Sequence, residues 1–526
     1  MIATYHSGQA SVRVKRAVVL ALLVSAVAAG KVHAQAPSAS TQQLEDLRRQ
    51  VEQLQRQLEV LQQQQEATEQ NAASTQVPAQ TPAHAPVDNA NAGPGIKAGP
   101  LTVTFGGFAE LTSIYRNRNE VADVSTNFNT GMPYPNLPQY HVSEFRETAR
   151  QSRVSILTQG SQDGDASAEA YVEVDFQSSA PTANSAESNS YNPRLRQYYA
   201  TYSRKDADYY LLAGQSFSLA TLFNKGITPR TERIPFTVDG QYVPGFNWTR
   251  NPQLRFVKDF DKKLALGLSL ESPQANVFNG PTLPADTVSQ LPGGFLFAPN
   301  VNYSVDPAPD LIIKAAWDPG WGHYELYGLG RAFRSRHGHE NDTIYGGGVG
   351  AGMILPLGSQ FDLQLSGLFG NGIGRYGSAQ LPDVTLRPDG KFSAVTAYQA
   401  LLGLAYRPTD RWNIYAYAGI EHADTEHFNA VVGGVTTPFG YGNPLYNNSG
   451  CGIEGNPAAT CAANTERVEQ AALGAWWKYY QGALGNFQVG LQGSYTNRKA
   501  FTGIGGDPDT NMIVGMLSFR FYPYQK

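Results

Sequence analysis

From residue 101 onward the chain repeats one pattern: runs of about ten residues in which apolar and polar side chains alternate, set apart by turn residues. A period of two places alternate residues on opposite faces of a strand. Over residues 168–176, Ala170, Val172, Val174 and Phe176 share one face, and Glu169, Tyr171, Glu173 and Asp175 the other. Residues 263–271 repeat the pattern with Leu264, Leu266, Leu268 and Leu270, and residues 360–369 with Phe361, Leu363, Leu365 and Phe369. Residues 487–498 set Gln488, Gln492, Ser494 and Arg498 against apolar neighbours, and residues 511–521 align Ile513, Leu517, Phe519 and Phe521.

The segments between these runs alternate in length. Short turns at 160–164, 205–206, 259–262, 318–320, 356–358 and 407–410 are interleaved with long connections near 117–150, 177–193, 216–250, 272–307, 371–393 and 424–465. Transmembrane barrels have this asymmetry, with short periplasmic turns and long external loops; a soluble sandwich has no cause for it. The apolar faces find no complementary helices or second set of strands, so lipid is their expected environment. The expected fold is therefore an all-β transmembrane antiparallel β-barrel, residues 101–526, with about sixteen strands. An even number puts both ends of the barrel on the periplasmic side, and a barrel of this size leaves an aqueous lumen.

Upstream the period changes. Leu44, Leu47, Val51, Leu54, Leu58 and Leu61 are spaced alternately three and four apart among Gln, Glu and Arg, which is an a/d heptad seam. It predicts an N-terminal periplasmic α-helical coiled coil within residues 35–71, too short to be stable without partners. Homo-oligomerisation is the expected role; one amphipathic helix packed on its own barrel is the alternative. Residues 72–100, rich in Ala, Pro, Asn, Gln and Gly, read as a flexible linker. Arg13, Lys15 and Arg16 precede an apolar run at 17–29 and then Val32-His33-Ala34, the pattern of an export signal over residues 1–34. The run is shorter than the about 20 apolar residues of a membrane helix; an uncleaved anchor is the alternative.

Composition adds three constraints. A chain that is 41% hydrophobic and 16% charged looks soluble, but 53 Gly, 28 Tyr and 24 Phe suit a barrel in which only every second strand residue faces lipid. A net charge of -4 argues against nucleic acid as a partner. The two cysteines, Cys451 and Cys461, share one Gly/Asn/Pro-rich connection, and an exported protein permits a disulfide between them.

The connection at 216–250 follows the fifth expected strand and is rich in Arg, Pro and Gly, which makes it the constriction-loop candidate. It contributes Lys225, Arg230, Arg233 and Arg250, and nearby strands add Arg153, Arg194, Arg196 and Arg255. Arg255 lies between Leu254 and Phe256, so it is expected to face the lumen; a charge facing lipid at mid-membrane costs roughly 2–4 kcal/mol. Arginine rings repel cations and fork carboxylates bidentately. Pairing with Glu169, Glu173 and Asp175 would instead leave a weakly selective pore.

Several stretches resemble the DcaP-like family of trimeric outer-membrane porins. They are the heptads at 44–61, FGGFAELTSIY at 105–115, RQSRVSILTQG at 150–160, AEAYVEVDF at 168–176, LRQYYATY at 195–202, TRNPQLRF at 249–256 and LSFRFYPYQ at 517–525. The resemblance covers the heptads and nearly the whole barrel, and residues 150–176 carry its most specific part. It implies a sixteen-stranded trimeric porin with a periplasmic coiled-coil extension and a basic constriction favouring small anions such as dicarboxylates. The expected setting is the outer membrane, with outer-membrane lipid, lipopolysaccharide and the barrel assembly machinery as partners. No cofactor or metal is expected.

Signals for catalysis are weak. Residues 372–377 match GxGxxG but lie in an expected external loop with no helical pattern after them. His337, His339, Glu340 and Asp342 are read as an exposed polar loop without the rigid frame of a metal site. HExxH, GxSxG, P-loop and CxxC motifs are absent. A porin is thus expected, not an enzyme. Two other classes are a barrel enzyme, which would lose hydrolysis on replacing a rim Ser or His, and a barrel-anchored tether or adhesin, which would not conduct.

Overall fold

The computed structural model describes residues 95–525, apart from 121, 161–162, 179–191 and 294–300. The export signal, the heptad seam and nearly all of the linker lie outside the described residues.

Sixteen strands form the wall. They are β1 (Leu101–Arg116), β2 (Glu144–Thr148 continued by Arg153–Gly160), β3 (Ala166–Asp175) and β4 (Arg194–Arg204). Then come β5 (Tyr209–Phe217), β6 (Arg250–Phe260), β7 (Leu264–Glu271) and β8 (Asp310–Trp317). The second half is β9 (His323–His337), β10 (Glu340–Leu357), β11 (Phe361–Asn371) and β12 (Thr396–Tyr406). It ends with β13 (Trp412–Ala423), β14 (Thr465–Gly482), β15 (Gly485–Ala500) and β16 (Asp509–Tyr522). Each pairs antiparallel with the next, and β1 pairs with β16 from Ala109↔Phe521 to Arg116↔Val514, which closes the cylinder and removes every open edge. Regular pairing begins slightly before residue 101, because Ile96–Ala98 folds back on the start of β1.

The two-residue period separates the faces as expected. On β7, Leu264, Leu266, Leu268 and Leu270 point outward while Ala265, Ser269 and Glu271 are buried inside. Outward Leu311, Ile313, Phe369, Ile513 and Phe519 continue an exposed apolar band. No helix among the described residues is long and apolar enough to cross a membrane; the strands carry the lipid-facing surface. Near the short-turn end, Trp412 stacks on Trp477 at 5.7 Å, and Trp317, Trp321 and Tyr324 form a second aromatic group.

Tyr199 and Trp476 are both 2% exposed and face inward, as Tyr210 also does. Three expectations need correction. The connection near 117–150 is shorter than expected, since Glu144–Thr148 pairs with the end of β1 and the strand resumes at Arg153. Residues 372–377 do not stay outside. They fold into the lumen, where Tyr376 is fully buried and its carbonyl accepts the Trp248 N–H at 2.9 Å. A Cβ at Gly374 would lie 2.0 Å from the Leu381 carbonyl oxygen, so its glycine permits a close backbone approach and not a phosphate cradle. Finally, His337 and Glu340 pair across a tight β9–β10 turn instead of lying in a loose loop.

The inner wall is partly apolar, and loops cover it. Leu401, Tyr415, Trp476, Met512, Val514 and Met516 pack against Phe236, Val238, Val243 and Phe246 of the segment between β5 and β6. A second cluster joins Ile312, Ala316, Leu329 and Leu368 to Leu219, Phe223 and Ile227 of the same segment. Burying these side chains, at about 25 cal/mol per Å² of apolar surface, holds the segment inside the barrel. The Cys451–Cys461 disulfide forms as expected, in the long β13–β14 connection, beside Tyr134.

Candidate functional site: the pore constriction

The segment from residue 218 to 249 crosses the lumen and is anchored on nearly every side. Its Leu219 N–H donates to Glu271 of β7 at 2.8 Å, its Phe223 N–H to Glu325 of β9 at 2.9 Å, and its Gly226 N–H to Asp318 at 2.8 Å. On the far side the Val238 N–H donates to Gln492 of β15, and Trp476 Nε1 donates to the Phe236 carbonyl at 2.7 Å. The Gly245 N–H donates to Glu421 of β13 at 2.8 Å. Buried backbone donors without partners cost free energy, so these wall side chains fix the loop's course.

Two small cavities lie between this loop and the barrel wall and mark the candidate passage. One is bordered by Gln151, Arg153, Arg233, Phe236, Tyr242, Trp476 and Arg520. The other is bordered by Phe108, Arg153, Tyr171, Glu173, Arg230 and Tyr522. Arg153 belongs to both.

The structure brings most of the expected arginines together here. Arg196 is buried and bonds Glu173 at 2.5 Å and Asp175 at 2.9 Å. Arg194 forks Asp175 at 2.9 and 2.7 Å. Arg153, Arg196 and Arg250 all lie within electrostatic reach of Glu173. Arg230, from the loop, bonds Glu169 at 2.9 Å and the Tyr199 hydroxyl at 3.0 Å, and lies over the Tyr171 ring. Arg250 stacks over Phe217 and Trp248, and its Nη1 has no hydrogen-bond partner among the described residues. Arg233 is tied to Asp362 and Gln364 at 3.3 Å each. Glutamates and aspartates therefore pair with several of these guanidiniums. The loop carboxyls Glu232 and Asp239 also border the passage, and burial pushes both upward toward the neutral form.

Two expected lining residues lie elsewhere. Arg255 faces inward but is sealed beneath the loop at 0% exposure, donating to Gln253 at 3.0 Å and to the Phe217 carbonyl, with its guanidinium over Phe223. It anchors the loop and does not touch the passage. Lys225 is exposed beside Gly226, which donates to Asp318 in a short turn, so it stands at the mouth opposite the long loops. One residue was missed. Arg520 lies over Phe108 at 4.7 Å and Trp476 at 4.3 Å, with Glu110 at 3.1 Å and the Gln151 amide oxygen at 2.8 Å. Its position between lipid-facing Phe519 and Phe521 was a readable signal that it points inward.

A closed antiparallel sixteen-stranded barrel with an apolar outer band, narrowed by an inward-folded loop, has the architecture of the outer-membrane channel proteins. Neither a family model nor a curated protein matches the chain. Among solved structures it is similar to the outer membrane channel DcaP of Acinetobacter baumannii, with a TM-score of 0.56 at 16% identity over 81% of this chain and 100% of that one. Weaker likenesses include OmpT of Vibrio cholerae, at TM-score 0.42 and 9% identity over 81% of this chain and 99% of that one. The anion-selective porin from Comamonas acidovorans gives TM-score 0.41 at 10% identity over 80% and 99%. The likeness to DcaP, at 16% identity, establishes the fold alone.

Proposed function

We propose that this protein is an outer-membrane porin that lets small hydrophilic solutes diffuse passively, with a preference for anions such as dicarboxylates. The observation that carries the reading is the arginine cluster beside the inward loop: Arg153 and Arg230 border a cavity there, and Arg194, Arg196 and Arg250 belong to the same network of charges around Glu173 and Asp175. Fixed cations at a constriction raise the local concentration of anions and reject cations. Guanidinium edges not used by Glu169, Glu173 and Asp175 offer bidentate sites for a passing carboxylate. The dicarboxylate preference rests on the sequence resemblance to the DcaP-like porins. So do the homotrimer and the periplasmic position of the heptads at 44–61. Insertion by the barrel assembly machinery is the route proposed for a closed barrel of this kind.

Planar-bilayer recording of the purified protein in a KCl gradient tests the reading. Three-step closure with a reversal potential on the chloride side supports an anion-preferring trimer. A folded barrel that gives no channels overturns it and favours a tether.

A further inference from the structure

We infer that the outer wall of the β9–β10 hairpin carries a binding site for a phosphorylated glycolipid of the outer leaflet, built from Arg334, Arg336 and Tyr345. Side-chain directions follow from the register. Phe333 and Ser335 are buried inside, and Phe333 packs with Ile344, so Arg334, Arg336 and their cross-strand partners face outward. Two hydrogen bonds confirm the shared face: Arg334 Nε to Thr343 Oγ1 at 3.3 Å and Arg336 Nη1 to the Asn341 side-chain oxygen at 2.9 Å.

The level on the wall is set by what lies below. Val349 and Phe369 are paired outward residues, 61% and 62% exposed, in the apolar band. Tyr345, further along β10, is 80% exposed, an amphipathic ring where the band ends. Arg334 and Arg336 follow beyond it, roughly 7 Å per two residues along the strand. Aliphatic surface, then a tyrosine, then two guanidiniums reproduces the order of acyl chain, interface and charged headgroup.

Charge pairing singles out this face. On β14 and β15 the outward rim cations are neutralised, Arg467 by Glu469 at 3.1 Å and Lys499 by Asp507 at 3.1 Å. Nearer the hairpin, Asp389 and Asp342 are occupied by Arg387 and Lys391. Among the described residues Arg334 and Arg336 bond only neutral oxygens across the strand, and neither forms an ion pair. A phosphate monoester matches two adjacent guanidinium forks, and lipid bearing it would bury Val349 and Phe369 at the same time.

The test uses the full mature protein, stripped of lipid in detergent, with three probes: bisphosphorylated lipid A, the same lipid A without its phosphates, and inorganic phosphate. Wild type should bind the bisphosphorylated form about thirtyfold more tightly than the dephosphorylated one, two surface cations each contributing. Arg334→Gln with Arg336→Gln should abolish that preference, while Arg387→Gln keeps it. Channel conductance serves as the check on folding, since neither arginine borders the passage. The inference is overturned if the double variant retains the preference, if wild type shows none, or if inorganic phosphate competes as well as the lipid, which would mark a site for free anions.

Discussion

The carboxylate of Glu421, on the inner face of β13, accepts the backbone N–H of Gly245 at 2.8 Å. The same oxygen accepts the Ala379 N–H at 2.8 Å, so one wall residue fastens two separate loops inside the lumen. Glu421→Ala removes the acceptor for both donors at a cost of about 2–3 kcal/mol. Its expected signature is a noisier, larger single-channel current and a lower melting temperature. Glu421→Gln keeps an acceptor oxygen and should restore most of the wild-type trace.

Gly245 tests the same latch from the loop side. Its φ is +87°, and a Cβ there would lie 2.0 Å from the Ala400 carbonyl oxygen. Gly245→Ala must displace the loop, and solute flux in a liposome-swelling assay should rise.

Two arginines of the constriction should respond differently. Arg250 stacks on rings with an unpartnered Nη1, near Arg194 and Arg196. Arg250→Gln should move the reversal potential toward cations while leaving melting unchanged or raised, because like charges are relieved. Arg196→Gln strips a buried cation from Glu173 and Asp175, and should lower stability by about 3 kcal/mol as well as selectivity. Equal behaviour of the two variants in calorimetry would contradict this assignment.

Stability should also depend on pH through Glu120, in the loop after β1. Burial opposes its charged form more strongly than Arg116 at 3.2 Å supports it, and the nearby Asp239 and Glu144 add to the effect, so its carboxyl is pushed up to about 8. A raised folded-state value means the folded protein holds the proton more tightly than the unfolded chain. The contribution is fully present below the ordinary value of 4.5 and is lost as pH rises through about 8. Melting temperature should therefore fall between pH 5 and pH 9, and Glu120→Gln should flatten that slope.

The disulfide closes a short loop, Cys451 to Cys461, at a separation of 10 residues. Replacing both by Ser should cost under about 3 kcal/mol. Because the bridge sits beside Tyr134 and the Asn136 N–H donates to the Cys451 carbonyl at 3.0 Å, the loss should appear as faster proteolysis of the external loops with conductance intact.

The wall was legible in the sequence because lipid enforces a strict rule on every second residue. Leu264 to Leu270 and Ile513 to Phe521 show it without help from context. The lumen obeys no such rule. Tyr199 and Trp476 pack on a loop inside the barrel, and nothing in the local sequence tells a lumenal aromatic from one at the membrane surface. Arg255 was rightly placed inward by alternation, but its covering by Phe217 and Phe223 depends on where a distant loop lies. Inward direction is a property of the strand; access to solute is a property of the whole cylinder. The role of Arg520 was readable by the same alternation, whereas Glu421 as a latch was not, since its partners are backbone groups of residues far away in the chain.

The anchors of the 218–249 segment also imply an order of events during biogenesis. Phe223 waits for Glu325, Phe236 for Trp476 and Val238 for Gln492, partners that lie between 102 and 254 positions further along the chain. Until β13–β15 have joined the wall, the segment's apolar side chains and backbone donors have no seat. Pore narrowing is then the closing event of maturation, and a channel caught before it would be wide and leaky, a species that the assembling cell has reason to keep short-lived.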